Sequence, residues 1–430
     1  MGMGRGIRIS FAMAAAGCAA AAIAGCGSTH APATGPAVVM ARGVAVVEPA
    51  ADPRPLAEAD TQFGLGVLRE WCAEYPGQNL VFSPSTLASA LGMAYLGARG
   101  STASAMAGVL HLPSDDAAAL AAGLQARSDA LGKLDGPGVT VAASNQVWAD
   151  PALTTSPGYL NSVATGYGAG VAKAPFSTDP AAAAQEINSA ISAATRGHIT
   201  NLVSPDMVAQ VGWVLTSALY LDANWASPFD PAKTQPGSFT TADGQPVTAS
   251  YLNGDGFAYA TSDGWTGVSL PYAGGNLTMT ALLPPAGSAA CALPGLASLT
   301  AITSSLADSG PGQQATLSLP KVKLSVGGTQ GDMREVLTEL GMGQAFSDAA
   351  DFTGLSPQAG NLAFVQQAAT LAVAEKGTVA SAAAAVGVLP AAAEAGGTTI
   401  TFDRPYLMLI TATATGEPLF LAEVDNPTVG

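Results

Sequence analysis

Few side chains in this chain are suited to catalysis. Its histidines are His30, His111 and His198, and a Ser-His-Asp triad or a Cys-His pair needs an imidazole held beside a nucleophile. His30 falls in a segment of tether composition. Neither Leu110-His111-Leu112-Pro113 nor Arg196-Gly197-His198-Ile199 offers such a setting, so both histidines read as surface or turn residues. HExxH, paired CxxC, a P-loop and a GxGxxG followed by an acidic ribose ligand are absent, and with 50 glycines isolated glycine pairs carry no signal. Asp115-Asp116 and Asp348 with Asp351 lie in polar turn contexts, where solvated caps account for them. The sequence does not read as an enzyme, and it implies no metal and no cofactor.

A different chemistry is offered by Glu375-Lys376-Gly377-Thr378 and the run from Val379 through Ala384 and Val388 to Ala393. No charge occurs from Gly377 to Ala393 and no proline before Pro390, so every earlier N–H is free to join a β-ladder. Extended, the segment turns Thr378, Ala380, Ala382, Ala384, Val386 and Val388 to one face, all small or β-branched and suited to slotting between strands. Composition alone favours an alanine-rich helix or connector instead. The surrounding sequence decides between them.

The elements that would position this segment belong to a folding, exported chain. Hydrophobic residues make up 48% and charged residues 11%, which excludes bulk disorder, and the net charge of −15 makes nucleic acid an unsuitable partner. Arg5 and Arg8 precede an apolar stretch from Ile9 to Ala24, too short for a comfortable membrane span, which ends in Ile23-Ala24-Gly25-Cys26. Residues 1–25 are read as a lipoprotein-type signal, because the tetrad resembles a bacterial lipobox whose cysteine, Cys26, receives the lipid. Residues 26–57, rich in Ala, Pro, Gly and Val, read as a tether, and 58–430 as one domain. Cys72 and Cys291 are permitted to pair, though Cys72 beside Trp71 has the setting of a buried, inert thiol.

Helical spacing from Asp60 (Phe63, Val67, Leu68, Trp71) gives a first helix capped by Asp60 or Thr61. Asn79 to Phe82 reads as a strand, and Ser83-Pro84 starts the helix carrying Leu87, Leu91 and Tyr95. Strands are predicted at Val139–Val147, Val214–Leu221, Gly267–Pro271, Leu277–Leu283, Ala315–Leu319 and Thr398–Phe402. Without a βαβ rhythm the class is α+β with much antiparallel sheet.

Nearly the whole mature chain resembles the serpin family. The resemblance is carried by Asn79-Leu80-Val81-Phe82-Ser83-Pro84-Ser85-Thr86-Leu87, by Leu96 to Thr102 and by Thr195-Arg196-Gly197-His198-Ile199-Thr200-Asn201. It continues in Leu219-Tyr220-Leu221 through Trp225 to Asp230, in Leu319-Pro320-Lys321, in Phe402-Asp403-Arg404-Pro405-Tyr406 and in Asp425-Asn426-Pro427. Tyr406 stands where phenylalanine is usual.

The resemblance, to an inhibitory bacterial serpin with a lipoprotein signal, implies three β-sheets with a large central one, eight or nine helices and an exposed reactive-centre loop at about 375–398. It implies a suicide-substrate inhibitor of serine proteases. The cut loop enters the central sheet as a new strand and drags the acylated protease with it. Glu375, Gly377, Thr378, Ala380, Ala382 and Ala384 match the loop hinge. Trp225 matches the tryptophan of the breach, at the top of the sheet. Ser83, Thr86, Ser217 and Gln367 fall in the shutter, where the family usually has asparagine and histidine at the last two positions; a neutral network of these four is expected here.

Counting from Glu375 puts the reactive bond at Ala391-Ala392, suited to an elastase-like or subtilisin-like protease; counting back from Phe402 lands near Glu394, which would suit an acid-selective one. The implied partners are the target protease, in a covalent acyl complex, and a membrane surface reached through the lipid anchor. The protein is expected to be a monomer on the extracellular face of the cell membrane, or secreted. The alternative reading is a non-inhibitory serpin acting as a surface binding or structural lipoprotein.

Overall fold

The computed structural model describes residues 38–209, 211–308, 313–378 and 397–429. With elements numbered in chain order, helices are α1 (Arg54–Glu74), α2 (Pro84–Gly97), α3 (Gly100–Val109), α4 (Ala117–Leu131), α5 (Pro157–Tyr167), α6 (Pro180–Ala194), α7 (Pro205–Val208), α8 (Leu296–Ala307) and α9 (Arg334–Leu337). Their starts follow from local chemistry. The Ser83 hydroxyl accepts from the Thr86 N–H at 3.2 Å with Pro84 in the first turn of α2, and Asp116 and Asp179 accept from the Ala119 and Ala182 N–H groups to open α4 and α6.

The central sheet runs in the order β1 (Val39–Ala41), β4 (Val171–Lys173), β3 (Val139–Ala149), β5 (Trp213–Asn224), β13 (Gly377–Thr378), β12 (Val365–Ala374), β11 (Val322–Val326). A second network runs β14 (Thr398–Thr401), β10 (Gln314–Pro320), β7 (Pro246–Ser262), β8 (Trp265–Pro271), β9 (Leu277–Leu283), β15 (Tyr406–Ala412), β16 (Pro418–Val424), β2 (Leu80–Phe82), with β6 (Gln235–Thr240) beside β7. Strand β7 divides this network. Its first half pairs with β6 and β10 and its second half with β8, which makes three sheets as expected.

Each face of the central sheet has its own core. Val214, Ala218, Phe364 and Ala368 pack under α6 against Ile187 and Ile191, whereas Leu215, Leu219, Val365 and Ala369 face the large core shared with α1, α2 and the second network. Alternation along β5 and β12 thus leaves both faces buried, which accounts for strands apolar almost throughout.

Three expectations change. The tether is shorter than 26–57, because Val39–Ala41 pairs antiparallel with β4 and α1 already begins at Arg54. The segment between them is bound too: the Val46 N–H donates to Thr165 Oγ1 and the Glu48 N–H to Gln125 Oε1, which satisfies backbone that composition alone leaves free. Asp60 does not cap α1; it lies inside the helix, buried, and pairs with Arg127 at 2.6 Å. Finally, Cys72 is no inert thiol but is bonded to Cys291, tying α1 to the segment between β9 and α8 across 219 residues.

Tyr406 also shows the cost of its departure from phenylalanine. Its ring packs edge-on against Phe402 and Phe239, but its buried hydroxyl has no partner among the described residues. Tyr406→Phe is expected to stabilise the fold by about 1–2 kcal/mol by removing an unsatisfied polar group, read as a raised urea midpoint at unchanged slope.

Candidate functional site

Of the residues read as the loop hinge, Gly377 and Thr378 lie in a cleft of the central sheet. Over Leu215–Leu219 and Val365–Ala369, β5 and β12 pair directly and in parallel. Above that seam they diverge, and Gly377–Thr378 enters between them antiparallel to both, Thr378 opposite Ala223 on one side and Val373 on the other. Glycine is required at the entry: a Cβ on Gly377 would lie 2.0 Å from the Ala223 carbonyl oxygen. Thr378 is 0% exposed, and its hydroxyl hydrogen-bonds the Tyr272 hydroxyl at 2.5 Å.

Trp225 reads the same segment from the side. It is buried at the top of the sheet, as expected, where its indole Nε1 donates to the Ala374 carbonyl at 2.9 Å and its backbone N–H to that of Lys376 at 2.8 Å. Its ring stacks on Tyr272 with centroids 4.5 Å apart. The indole, the phenol and the Thr378 hydroxyl form one connected group, so movement of the hinge must disturb Trp225.

A polar clamp fixes the base of the loop. Lys321 Nζ lies 2.9 Å from both carboxylate oxygens of Glu375, Thr234 Oγ1 donates to one of them, and the Phe229 N–H donates to the Glu375 carbonyl. Burial raises the cost of this carboxylate, but the bonds from Lys321, its own backbone N–H and Thr234 outweigh that and hold its pKa below the ordinary value. The clamp's contribution is therefore complete above the ordinary pKa of 4.5 and is lost as pH falls through the depressed one. Trp225 emission, taken as wild type minus Trp225→Phe, is expected to shift in a transition centred below pH 4.5. Glu375→Gln should show the shifted emission already at neutral pH; identical titrations of the two proteins would contradict the clamp.

The chain as a whole is similar to known proteins. The family model described as Serpin (serine protease inhibitor) matches residues 58–427. The chain belongs to the serpin family. An uncharacterized serpin-like protein of Thermococcus kodakarensis is 31% identical over 381 residues, spanning 88% of this chain and 87% of its own. The crystal structure of a thermophilic serpin, tengpin, in the native state aligns with TM-score 0.75 at 22% identity over 90% of this chain and 99% of that one, a likeness of fold. Human thyroxine-binding globulin complexed with thyroxine aligns with TM-score 0.73 at 26% identity, over 88% and 100%.

In this serpin the shutter departs from the expected network. Ser217 and Gln367 are Cα partners in the seam, and both are buried on the α2 side of the sheet. Yet no hydrogen bond among the described residues joins them to Ser83 or Thr86. The Ser83 hydroxyl is spent on capping α2 and on Ser85, Thr86 Oγ1 turns to the Ser83 carbonyl, and Gln367 Nε2 is left without a partner. A buried amide donor left open weakens the seam where it must part.

Ala380, Ala382, Ala384, the Ala391-Ala392 bond and Cys26 lie outside the described residues. Sequence reasoning missed Tyr272, Thr234 and the clamping role of Lys321. Their partners are 106, 141 and 54 residues away, and no local pattern announces such contacts. Serpins are generally inhibitors of proteases rather than catalysts. In this chain His198 stacks on Tyr220 and His111 occupies a turn at φ 49°.

Proposed function

We propose that this serpin inhibits serine proteases by covalent trapping with loop insertion, its reactive bond being Ala391-Ala392. The observation that carries the reading is the position of Gly377–Thr378, already a strand between β5 and β12 and aimed down the seam.

Register turns that position into a specific product. Thr378 opposes Ala223 and Val373, so in an antiparallel continuation each residue further along the loop opposes one residue earlier on both neighbours. Six residues on, Ala384 would stand between Ser217 and Gln367, which are already partners across the seam. Thr378 points to the large core through Tyr272, so Ala380, Ala382, Ala384, Val386 and Val388 would follow it onto that side, where only small or β-branched side chains fit. To admit them the five direct pairs from Val365–Leu215 to Ala369–Leu219 must separate. Each is replaced by pairing on both sides of the new strand. This is strand addition to a sheet, for which serpin loop insertion is a recognised case.

The chemistry is that of an interrupted acyl transfer. The protease serine attacks the Ala391 carbonyl and the Ala392 amine leaves; insertion then carries the ester away before water completes hydrolysis. Alanine before the bond, after Val388, Leu389 and Pro390, suits the shallow pocket of an elastase-like or subtilisin-like enzyme. The lipobox-like tetrad supports anchoring through Cys26 to the outer face of the membrane, where the inhibitor would protect the cell surface. Cys26→Ala should then move the protein from the membrane fraction to the soluble one.

Incubation with an elastase-like protease tests the trap. The expected product is a complex stable to denaturing electrophoresis, together with a released peptide beginning at Ala392. Complete cleavage with no complex would instead place the protein among serpins that serve other roles, as the thyroxine-binding fold neighbour illustrates.

A further inference from the structure

A cavity of about 330 Å³ opens between the start of α1, the C-terminal end of α4 and the β15–β16 hairpin, remote in sequence from the hinge and seam. Its walls include Pro53, Leu131, Leu134, Asn276, Thr413 and Glu417, and its size falls in the range of sites for small molecules. Most of these groups are ordinary for a surface cleft. Glu417 is not: it is 1% exposed, no N–H or hydroxyl donor reaches its carboxyl oxygens, and its hydrogen-bonding neighbour is the equally buried carboxyl of Asp60.

The charged groups around Glu417 define what it can accept. Asp60 of α1 faces it, Arg127 of α4 lies beside both, and Lys133 stands exposed on the cavity wall just beyond α4. Arg127 is committed elsewhere. One of its nitrogens is 2.6 Å from Asp60, another donates to Ser89, and its guanidinium lies over the Tyr167 ring. Burial, and then the Asp60 carboxylate, push the Glu417 carboxyl well above its ordinary range, and the two buried carboxyls face one guanidinium, that of Arg127. An ionised Glu417 keeps the cluster neutral only if one positive charge arrives with it. An anion would find Arg127 already paired, and a neutral apolar guest would leave Glu417 and Asp60 bonded to each other and gain nothing from either carboxyl.

We propose that this cavity binds a small amphipathic monocation, an amine whose ammonium pairs with Glu417 and whose apolar body packs on Leu131 and Leu134. On binding, Glu417 releases its proton to solvent, the ammonium donates to the resulting carboxylate, and Asp60 keeps Arg127. The uptake is therefore linked to proton release and strengthens as pH rises towards the raised pKa of Glu417, as long as the amine stays protonated.

Benzylamine, benzyl alcohol and benzoate are matched probes of one shape and three charges. Titration calorimetry on the full chain, in two buffers of different protonation enthalpy, should show benzylamine binding with release of a proton, and the other two binding at least roughly tenfold more weakly, or about 1.4 kcal/mol. Glu417→Gln should lose the preference for the amine by a similar factor. Should benzyl alcohol bind as well as benzylamine, the cavity is merely apolar and the proposal fails. A preference for benzoate, or no heat from millimolar benzylamine, overturns it equally. The comparison of probes on the wild-type chain stands without the variant.

Discussion

Cleavage at Ala391-Ala392 is expected to make this serpin markedly harder to melt, although a peptide bond has been lost. Among the described residues of the intact chain, Gly377–Thr378 is the part of the loop that pairs in the central sheet. Release of the far end lets the following residues complete a strand between β5 and β12, and each then pairs on two sides with backbone that is already buried. The five pairs broken in the seam are fewer than the pairs formed. A net gain of about 5 kcal/mol would raise the melting temperature by about 6 °C in a domain of about 370 residues. Calorimetry of intact and cleaved protein measures this. An unchanged or lower transition after cleavage would show a fold that stores no strain.

Thr378→Arg is expected to abolish trapping while leaving the loop a good substrate. In the proposed insertion Thr378 leads; it is fully buried and bonds Tyr272 inside the large core. Arginine there places a charge in the cleft with no acid supplied to meet it, which costs several kcal/mol. Trapping is a race between insertion and hydrolysis of the acyl-enzyme. An added barrier of about 3 kcal/mol slows insertion roughly a hundredfold, and hydrolysis then wins. The expected outcome is cleavage at the wild-type rate with the covalent complex reduced to a trace. Thr378→Ser keeps the hydroxyl and the size, and should keep most of the complex; equal yields from Thr378→Arg and wild type would remove the hinge from the mechanism.

The residues that made the site legible in sequence were those whose roles are local. Ser83-Pro84 announced itself by capping chemistry that the structure repeats at 3.2 Å, whereas Gly377 and Thr378 were picked out by the serpin resemblance, since their uncharged, proline-free run alone favoured a helix or connector. The strands of the central sheet were legible because both faces are buried, which leaves apolar runs. Contacts between distant segments were not. Nothing near Lys321 says that it will hold Glu375, and nothing in Leu270-Pro271-Tyr272 says that the phenol will meet Thr378. Cys72 and Cys291 pair because the fold brings their Cα atoms to 5.8 Å, a distance no spacing encodes. The segment around Val39–Ala41 looked like tether because three residues are too few for a periodic signal, yet they suffice to pair with an edge strand. Asp60 was read as a cap by residue type, and its burial against Arg127 was settled by α4. The neutral shutter failed for a similar reason: four polar residues do meet in one region, but the helix start claims the hydroxyls first.

Trapping by insertion requires one particular path of the loop after cleavage, and a crystal structure of the cleaved chain reads that path directly. It should show a continuous strand from Gly377 to about Val388, with Ala384 flanked by Ser217 on one side and Gln367 on the other. If Leu215–Leu219 is still paired with Val365–Ala369, and the freed segment lies outside the sheet, the protein does not work by insertion.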